Sequence, residues 1–429
     1  MKLRCSRMIW LGLGLLLAGL GSTAVAQFVG GEWVQRGEAS IRRYRMTGVE
    51  FLVLRPDGTI ASNAQVHLRQ TEHAFGLGFI LPDGPPPTID RGQELWRAFN
   101  LVSIEPITGW RKLQPHRDQP PDLTAIDDAM AWASSSGLRV RWGPLTSAEA
   151  FALPEWAVGL PSRELLDASL DHGRLIANRY GDQLWDLDLC TGLLDHDRFQ
   201  GAMLRILDAH LDAIAPALPT RLRYGSAWTG PRAFDVINAL DLSVAEQLPT
   251  DGFALETRFP PGEIVQSQIE PDLRRLTRFG EPIVLSDLEV GGRNSIEAVV
   301  NIETVLRTAF AEPAVAGIVF SGLTAEDFAD ASASLIDETG QPTGVGRLVD
   351  RLFRQTWWSD VTTSTDELGV ARARVFLGEY EVTATLPGGA SVSIPLRLDY
   401  RSEPPRRVIL MPMKLANSVA PAEPIEPGQ

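Results

Sequence analysis

The mature part of the chain changes its hydrophobic rhythm twice. Val49-Glu50-Phe51-Leu52-Val53-Leu54, the turn Pro56-Asp57-Gly58, and Ala64-Gln65-Val66-His67-Leu68-Arg69-Gln70 place apolar residues at alternate positions. That period of two predicts a β-hairpin with one covered face, within an extended segment over 27–70. From about 71 to 356 short apolar runs alternate with amphipathic stretches. Strands are expected at 99–104, 138–142, 184–189, 222–224, 252–256, 282–288 and 316–320. Helices are expected near 122–136, 162–179, 198–216, 231–247, 263–280, 294–311 and 342–356. Strands that alternate with helices over this length predict an α/β fold, a (β/α)₈ TIM barrel. No glycine-rich loop follows a strand as a dinucleotide site requires, so an open Rossmann sheet is disfavoured. Period-two texture returns over 357–416, with turns at Asp366-Glu367-Leu368-Gly369 and Pro387-Gly388-Gly389. The two β-rich flanks are too small for separate cores and are expected to meet as a small β-sandwich. The segment 417–429 is rich in Pro, Ala and Glu and reads as a disordered tail.

The first residues change this picture only at its edge. Lys2, Arg4 and Arg7 precede an apolar run from Ile9 to Leu20, and Ala24-Val25-Ala26 offers small residues for cleavage. The run is shorter than the roughly 20 apolar residues of a membrane span, so 1–26 is expected to be a signal peptide. The protein is then secreted or periplasmic, with no membrane attachment after cleavage. Charge points the same way. Asp and Glu number 54 against 40 Lys and Arg, a net charge of −14, and removing the basic leader makes it more negative. That balance argues against nucleic acid as a partner and suits neutral substrates. Of the two cysteines, Cys5 lies in the leader, so Cys190 alone is left. This rules out an intramolecular disulfide and a cysteine-based zinc site.

In a TIM barrel the chemistry lies at the C-terminal ends of the strands. The stretches there resemble glycoside hydrolase family 10, the endo-β-1,4-xylanases. Phe99-Asn100-Leu101-Val102-Ser103-Ile104-Glu105, followed by Trp110, is similar to the family's Phe-Asn…Glu-Asn…Lys-Trp strand. Trp185-Asp186 with Cys190 resembles Trp-Asp-Val-Val-Asn-Glu. Thr250-Asp251-Gly252-Phe253-Ala254-Leu255-Glu256 resembles Ile-Asp-Gly-Ile-Gly-Leu-Gln, and Leu285-Ser286-Asp287-Leu288-Glu289-Val290 resembles Ile-Thr-Glu-Leu-Asp-Val. Gly317-Ile318-Val319-Phe320 matches the start of Gly-Ile-Thr-Phe-Trp-Gly. Phe75-Gly76-Leu77-Gly78 and 377–382 are similar to β segments appended in some members. Six weak motifs in the right order make the likeness fairly specific.

The resemblance implies a polysaccharide or oligosaccharide partner, β-1,4-linked and plant-type such as xylan, with no cofactor and no metal. It also locates the departures. Retaining glycosidases need two carboxyl groups about 5–5.5 Å apart. By the resemblance the acid/base glutamate falls on Cys190 and the nucleophile on Asp287, one methylene shorter. Sugar-binding positions fall on Pro106, Gly109, Arg258 and Ser321, whereas Glu105, Trp110, Trp185 and Asp186 are kept. Cys190 reads as a small buried residue rather than a working acid. Asp287 is the surviving carboxylate, and Glu256 on the neighbouring strand or Asp188 are its candidate partners. Arg258 could instead tie such carboxylates into a structural network. Asp195-His196-Asp197 reads as a solvated loop rather than a metal site. Ser226, Ser286 and Ser321 lack a nucleophile-elbow sequence. Trp357-Trp358 reads as a junction cap. Three functions follow as expectations: a glycan-binding barrel without standard retaining hydrolysis, a glycosidase with a relocated pair, or a non-catalytic scaffold.

Overall fold

A computed structural model describes residues 31–83, 95–147, 152–191, 209, 220–224, 252–259, 262–277, 280–399 and 406–411. The expected leader, the helices near 198–216 and 231–247, the Asp195–Asp197 loop, Ser226 and the tail lie outside these residues. The described chain divides into two compact units. One is built from residues up to Arg45 and from Phe75–Arg354, the other from Met46–Ala74 and the chain from Gln355 onward.

In chain order the strands are β1 (Met46–Leu54), β2 (Gln65–His73), β3 (Gly76–Ile80), β4 (Leu101–Ser103), β5 (Arg139–Trp142), β6 (Thr146–Ser147), β7 (Leu184–Thr191) and β8 (Thr220–Tyr224). They continue as β9 (Phe253–Arg258), β10 (Ile283–Glu289), β11 (Val315–Phe320), β12 (Asp360–Ser364), β13 (Val370–Phe376), β14 (Gly378–Thr385), β15 (Ser391–Leu398) and β16 (Arg406–Leu410). In the first unit β3, β4, β5, β7, β8, β9, β10 and β11 pair in parallel in that order. β11 pairs back to β3, so the eight strands close into a barrel. The short β6 runs beside the end of β7. The TIM-barrel expectation is therefore met. Phe75-Gly76-Leu77-Gly78 supplies the barrel's first strand rather than a flanking piece.

Residues i and i+2 on a strand share a face, and the barrel interior is layered accordingly. Ile80, Leu101, Val284 and Val319 come from β3, β4, β10 and β11, and all pack with Trp185 of β7. Side chains from opposite walls can meet only inside the barrel, so these five fill its interior. Gly76 and Gly317 make room for the indole, since a Cβ at Gly76 would lie 3.0 Å from the tip of Trp185. Trp142 turns outward instead, its ring 5.6 Å from Tyr180.

Around the barrel lie α1 (Glu32–Tyr44), α2 (Thr124–Ser135), α3 (Ser162–Tyr180), α4 (Gln266–Thr277), α5 (Ser295–Ala311) and α6 (Gly344–Arg351), the last running into a π-helical turn at Leu352–Thr356. Helix α1 corrects the expectation of extended structure from residue 27. Trp33, Val34, Gly37, Ile41 and Tyr44 follow a helical spacing, and they line a groove shared with α4 and α5. Ser40 Oγ donates to the carbonyl of Ala311 at the end of α5. Arg45, fully buried, donates to the carbonyls of Phe310, Glu312 and Val315, which satisfies acceptors that the C-terminus of α5 leaves open.

The second unit is the expected sandwich. One sheet has the order β13-β1-β16 and the other β12-β2-β14-β15. Val49, Phe51 and Val53 of the first sheet share one core with Val66, Leu68, Tyr380, Val382 and Leu398 of the second. Trp357 is buried within this unit, where its carbonyl meets the ring of His73 at 3.1 Å.

Candidate functional site

The C-terminal end of the barrel gathers several of the expected residues and excludes others. Asp287 lies near the end of β10 with φ of 47°, a left-handed backbone that L-residues other than Asn and Asp rarely adopt. Strand register shows why. Ser286 pairs with Glu256, and the next matched pair is Glu289 with Arg258, so β10 carries a bulge across residue 287. On its other side the pairing also jumps, from Leu285 to Leu288. The bulge re-aims one carboxylate at the strand end. Asp287 is 4% exposed, and Arg258 Nη2 donates to its Oδ1 at 3.4 Å. The Arg258 side chain is 54% exposed, so it reaches the carboxylate from the solvent side. Glu256, paired with Ser286, is half-buried on the adjacent strand.

Asp186 and Asp188 sit deeper. Arg141 Nε lies 3.1 Å from Asp186 Oδ1, and its Nη2 donates to Asp188; all three side chains are essentially inaccessible. Because Trp142 faces outward, Arg141 one residue earlier faces into the barrel. A guanidinium between two carboxylates lowers the large cost of burying each charge. Asp188 is thus the counterion of Arg141, which corrects its candidacy as the acid or base partner of Asp287. Asp186 is the second counterion of Arg141.

Two expected sugar-binding aromatics are also spoken for. Strand β7 runs from Leu184 to Thr191, so Trp185 is at its start, far from the end where substrates meet a barrel. Its indole plugs the interior beneath the guanidinium of Arg139, 5.2 Å away. Trp110 is 3% exposed, stacked on His172 at 5.0 Å and edge-on to Trp156 at 5.5 Å. It packs the barrel wall. Cys190 pairs in register with Thr146 and Leu222 near the end of β7, the strand end the resemblance implied. Glu105 begins a short helix just past β4 and is half-buried, its side chain over Gly143, where a Cβ would come within 2.7 Å.

The structure adds residues that the sequence reading did not single out. Asn301 on α5 is fully buried and ties two loops of this barrel end together. Its Oδ1 accepts from Ile264 N at 3.0 Å, while Nδ2 donates to the carbonyls of Gly262 and Gly291 at 2.8 and 2.9 Å. Glu289 Oε1 accepts from Asp330 N at 2.7 Å, which fastens the loop after β11. An amide on an otherwise apolar helix face was the available signal for Asn301. Among the described residues no cluster of three or more His, Cys, Asp or Glu could hold a metal ion.

No family model matches the chain. The anti-sigma-I factor RsgI6 of Acetivibrio thermocellus is 22% identical over 396 residues, which cover 90% of this chain and 51% of that protein. The chain therefore spans about half the length of that relative. Endo-1,4-beta-xylanase 5 of Arabidopsis thaliana is 21% identical over 407 residues, covering 90% of this chain and 70% of the plant protein. Among solved structures, xylanase 10B from Thermotoga petrophila RKU-1, in complex with xylobiose, superposes with a TM-score of 0.57 at 16% identity. The match covers 66% of this chain and 95% of that one. A psychrophilic glycoside hydrolase family 10 endo-beta-1,4-xylanase gives 0.55 at 13% identity, covering 65% and 96%. The barrel shares its fold with these xylanases.

Proposed function

We propose that this chain is an exported polysaccharide-binding protein that holds a β-1,4-linked plant-type glycan such as xylan at the C-terminal mouth of its barrel, without standard retaining hydrolysis. The observation that carries the reading is the state of Asp287. The position implied for the nucleophile keeps a carboxylate on a left-handed bulge, but that carboxylate accepts from Arg258 and is not opposed by a glutamate at Cys190. Retaining hydrolysis needs two carboxyl groups with divided roles. Backbone strain retained at a strand end supports a working binding position there, and the likeness to xylanases supports a glycan as the ligand.

A second reading, a glycosidase with a relocated pair, is favoured by one relationship. Ser286, directly before Asp287, pairs with Glu256 and so brings that carboxylate to the adjacent strand. The test that separates the two is reducing-sugar release from xylan and mixed β-glucans by wild type and Asp287→Ala. The binding reading expects no release from either, with retention of wild type on insoluble xylan. Release by wild type that is lost in Asp287→Ala would replace it with the glycosidase. Neither release nor retention would leave the scaffold.

A further inference from the structure

Three serines face the barrel interior, on β4, on β10 and just past β11. Leu101, Val284 and Val319 pack together around Trp185 in the lower interior. Two residues further along the chain from each, toward the C-terminal mouth, come Ser103, Ser286 and, just past the end of β11, Ser321. Ser103 and Ser286 are each 1% exposed, and Ser321 is half-buried. The Oγ of all three is buried and has no hydrogen-bond partner among the described residues. Buried polar groups are nearly always hydrogen-bonded, so three orphaned hydroxyls at the same end of the barrel call for a ligand that completes them. Apolar residues at these positions would have continued the packing below; serine instead puts one donor and acceptor on each of three walls.

We infer that Ser103, Ser286 and Ser321 form the floor of the glycan site and take the hydroxyls of the innermost sugar ring. A pyranose presents hydroxyls around its rim, each of which both donates and accepts, as serine does. Ser286 directly precedes Asp287, so the same strand end offers a hydroxyl at the floor and a carboxylate above it. This inference rests on the glycan-binding reading and adds the residues that would grip the ligand.

Calorimetric titration with xylohexaose tests it, on wild type, Ser103→Ala, Ser286→Ala, Ser321→Ala and the triple variant, with exposed Ser391→Ala of the sandwich as control. Each single substitution is expected to weaken binding about five- to tenfold, the loss of one or so hydrogen bonds. The thermal midpoint of the ligand-free variants should stay level or rise, because an orphaned hydroxyl has been removed. If the triple variant binds as tightly as wild type, the serines hold nothing but internal water and the inference is wrong. Weaker binding with a lower ligand-free midpoint would mark them as packing residues and overturn it equally. A wild type that does not bind xylohexaose would bring down the glycan-binding reading, and this inference with it.

Discussion

Arg258 Nη2 lies 3.4 Å from Asp287 Oδ1, a long contact between an exposed guanidinium and a carboxylate that is almost completely buried. The pair ties the Asp287 carboxylate at the strand end to a guanidinium on the neighbouring strand. Because the guanidinium half of the pair lies in solvent, the contact is screened and contributes about 1 kcal/mol. Arg258→Ala should therefore leave the fold intact by chemical denaturation, lower stability by about 1 kcal/mol or less, and still release no reducing sugar from xylan.

The backbone at Asp287 gives a second expectation. Asn tolerates a left-handed conformation and Gly favours it, whereas a β-branched residue resists it. Asp287→Val should cost about 1–3 kcal/mol more than Asp287→Asn or Asp287→Gly. Denaturant midpoints for the three variants measure this directly, and equal midpoints would mean that the bulge is not strained.

Arg141 serves Asp186 and Asp188 together, so its removal strands two buried charges. Arg141→Met should destabilise the protein by about 3–5 kcal/mol. Adding Asp186→Leu and Asp188→Leu to that variant should recover much of the loss, because an apolar layer of similar volume needs no counterion. A triple variant no more stable than Arg141→Met would contradict this account.

Asn301→Ala should act on the fold and on the site at once. It leaves Ile264 N and the carbonyls of Gly262 and Gly291 without this amide, at a cost of about 2–3 kcal/mol. Xylan retention should fall with it, because the loops after β9 and β10 lose their common tie.

Two phenols titrate late. Burial, helped by the hydrogen bond to Asp127, pushes Tyr180 up to about 12, and burial also raises Tyr380. A group whose folded pKa is raised stabilises the fold fully below its ordinary value, near 10, and loses that contribution as pH climbs toward the folded value. Ultraviolet titration should show Tyr180 ionising only toward pH about 12 or on unfolding. Tyr180→Phe should remove that late step.

The barrel and the sandwich were legible in the chain because both follow from the periodicity of apolar positions. Helix α1 was missed because Trp33, Val34, Ile41 and Tyr44 are few and sit beside a strand signal. The position of Trp185 was misjudged for a different reason. A run such as Trp185-Asp186-Leu187-Asp188 shows which residues are near each other, but not where the strand begins relative to the mouth. Nor does it show that Arg141, distant in sequence, neutralises both acids. Asp287 and Arg258 could be placed at strand ends from order alone. The bulge between them could not, since it depends on the register of three strands.

The sandwich takes its strands from both sides of the barrel in the chain: β1 and β2 precede it, and β12 to β16 follow it. Its core therefore has no finished surface until the last strand has been synthesised. Phe51, Val53, Val66 and Leu68 wait through the whole length of the barrel for their partners on β13, β14 and β15. Until those strands are made such a hairpin is an exposed apolar edge, the kind of surface that holdase chaperones cover. The connectivity thus makes the sandwich the unit completed last, since its two halves come from opposite ends of the barrel's stretch of chain.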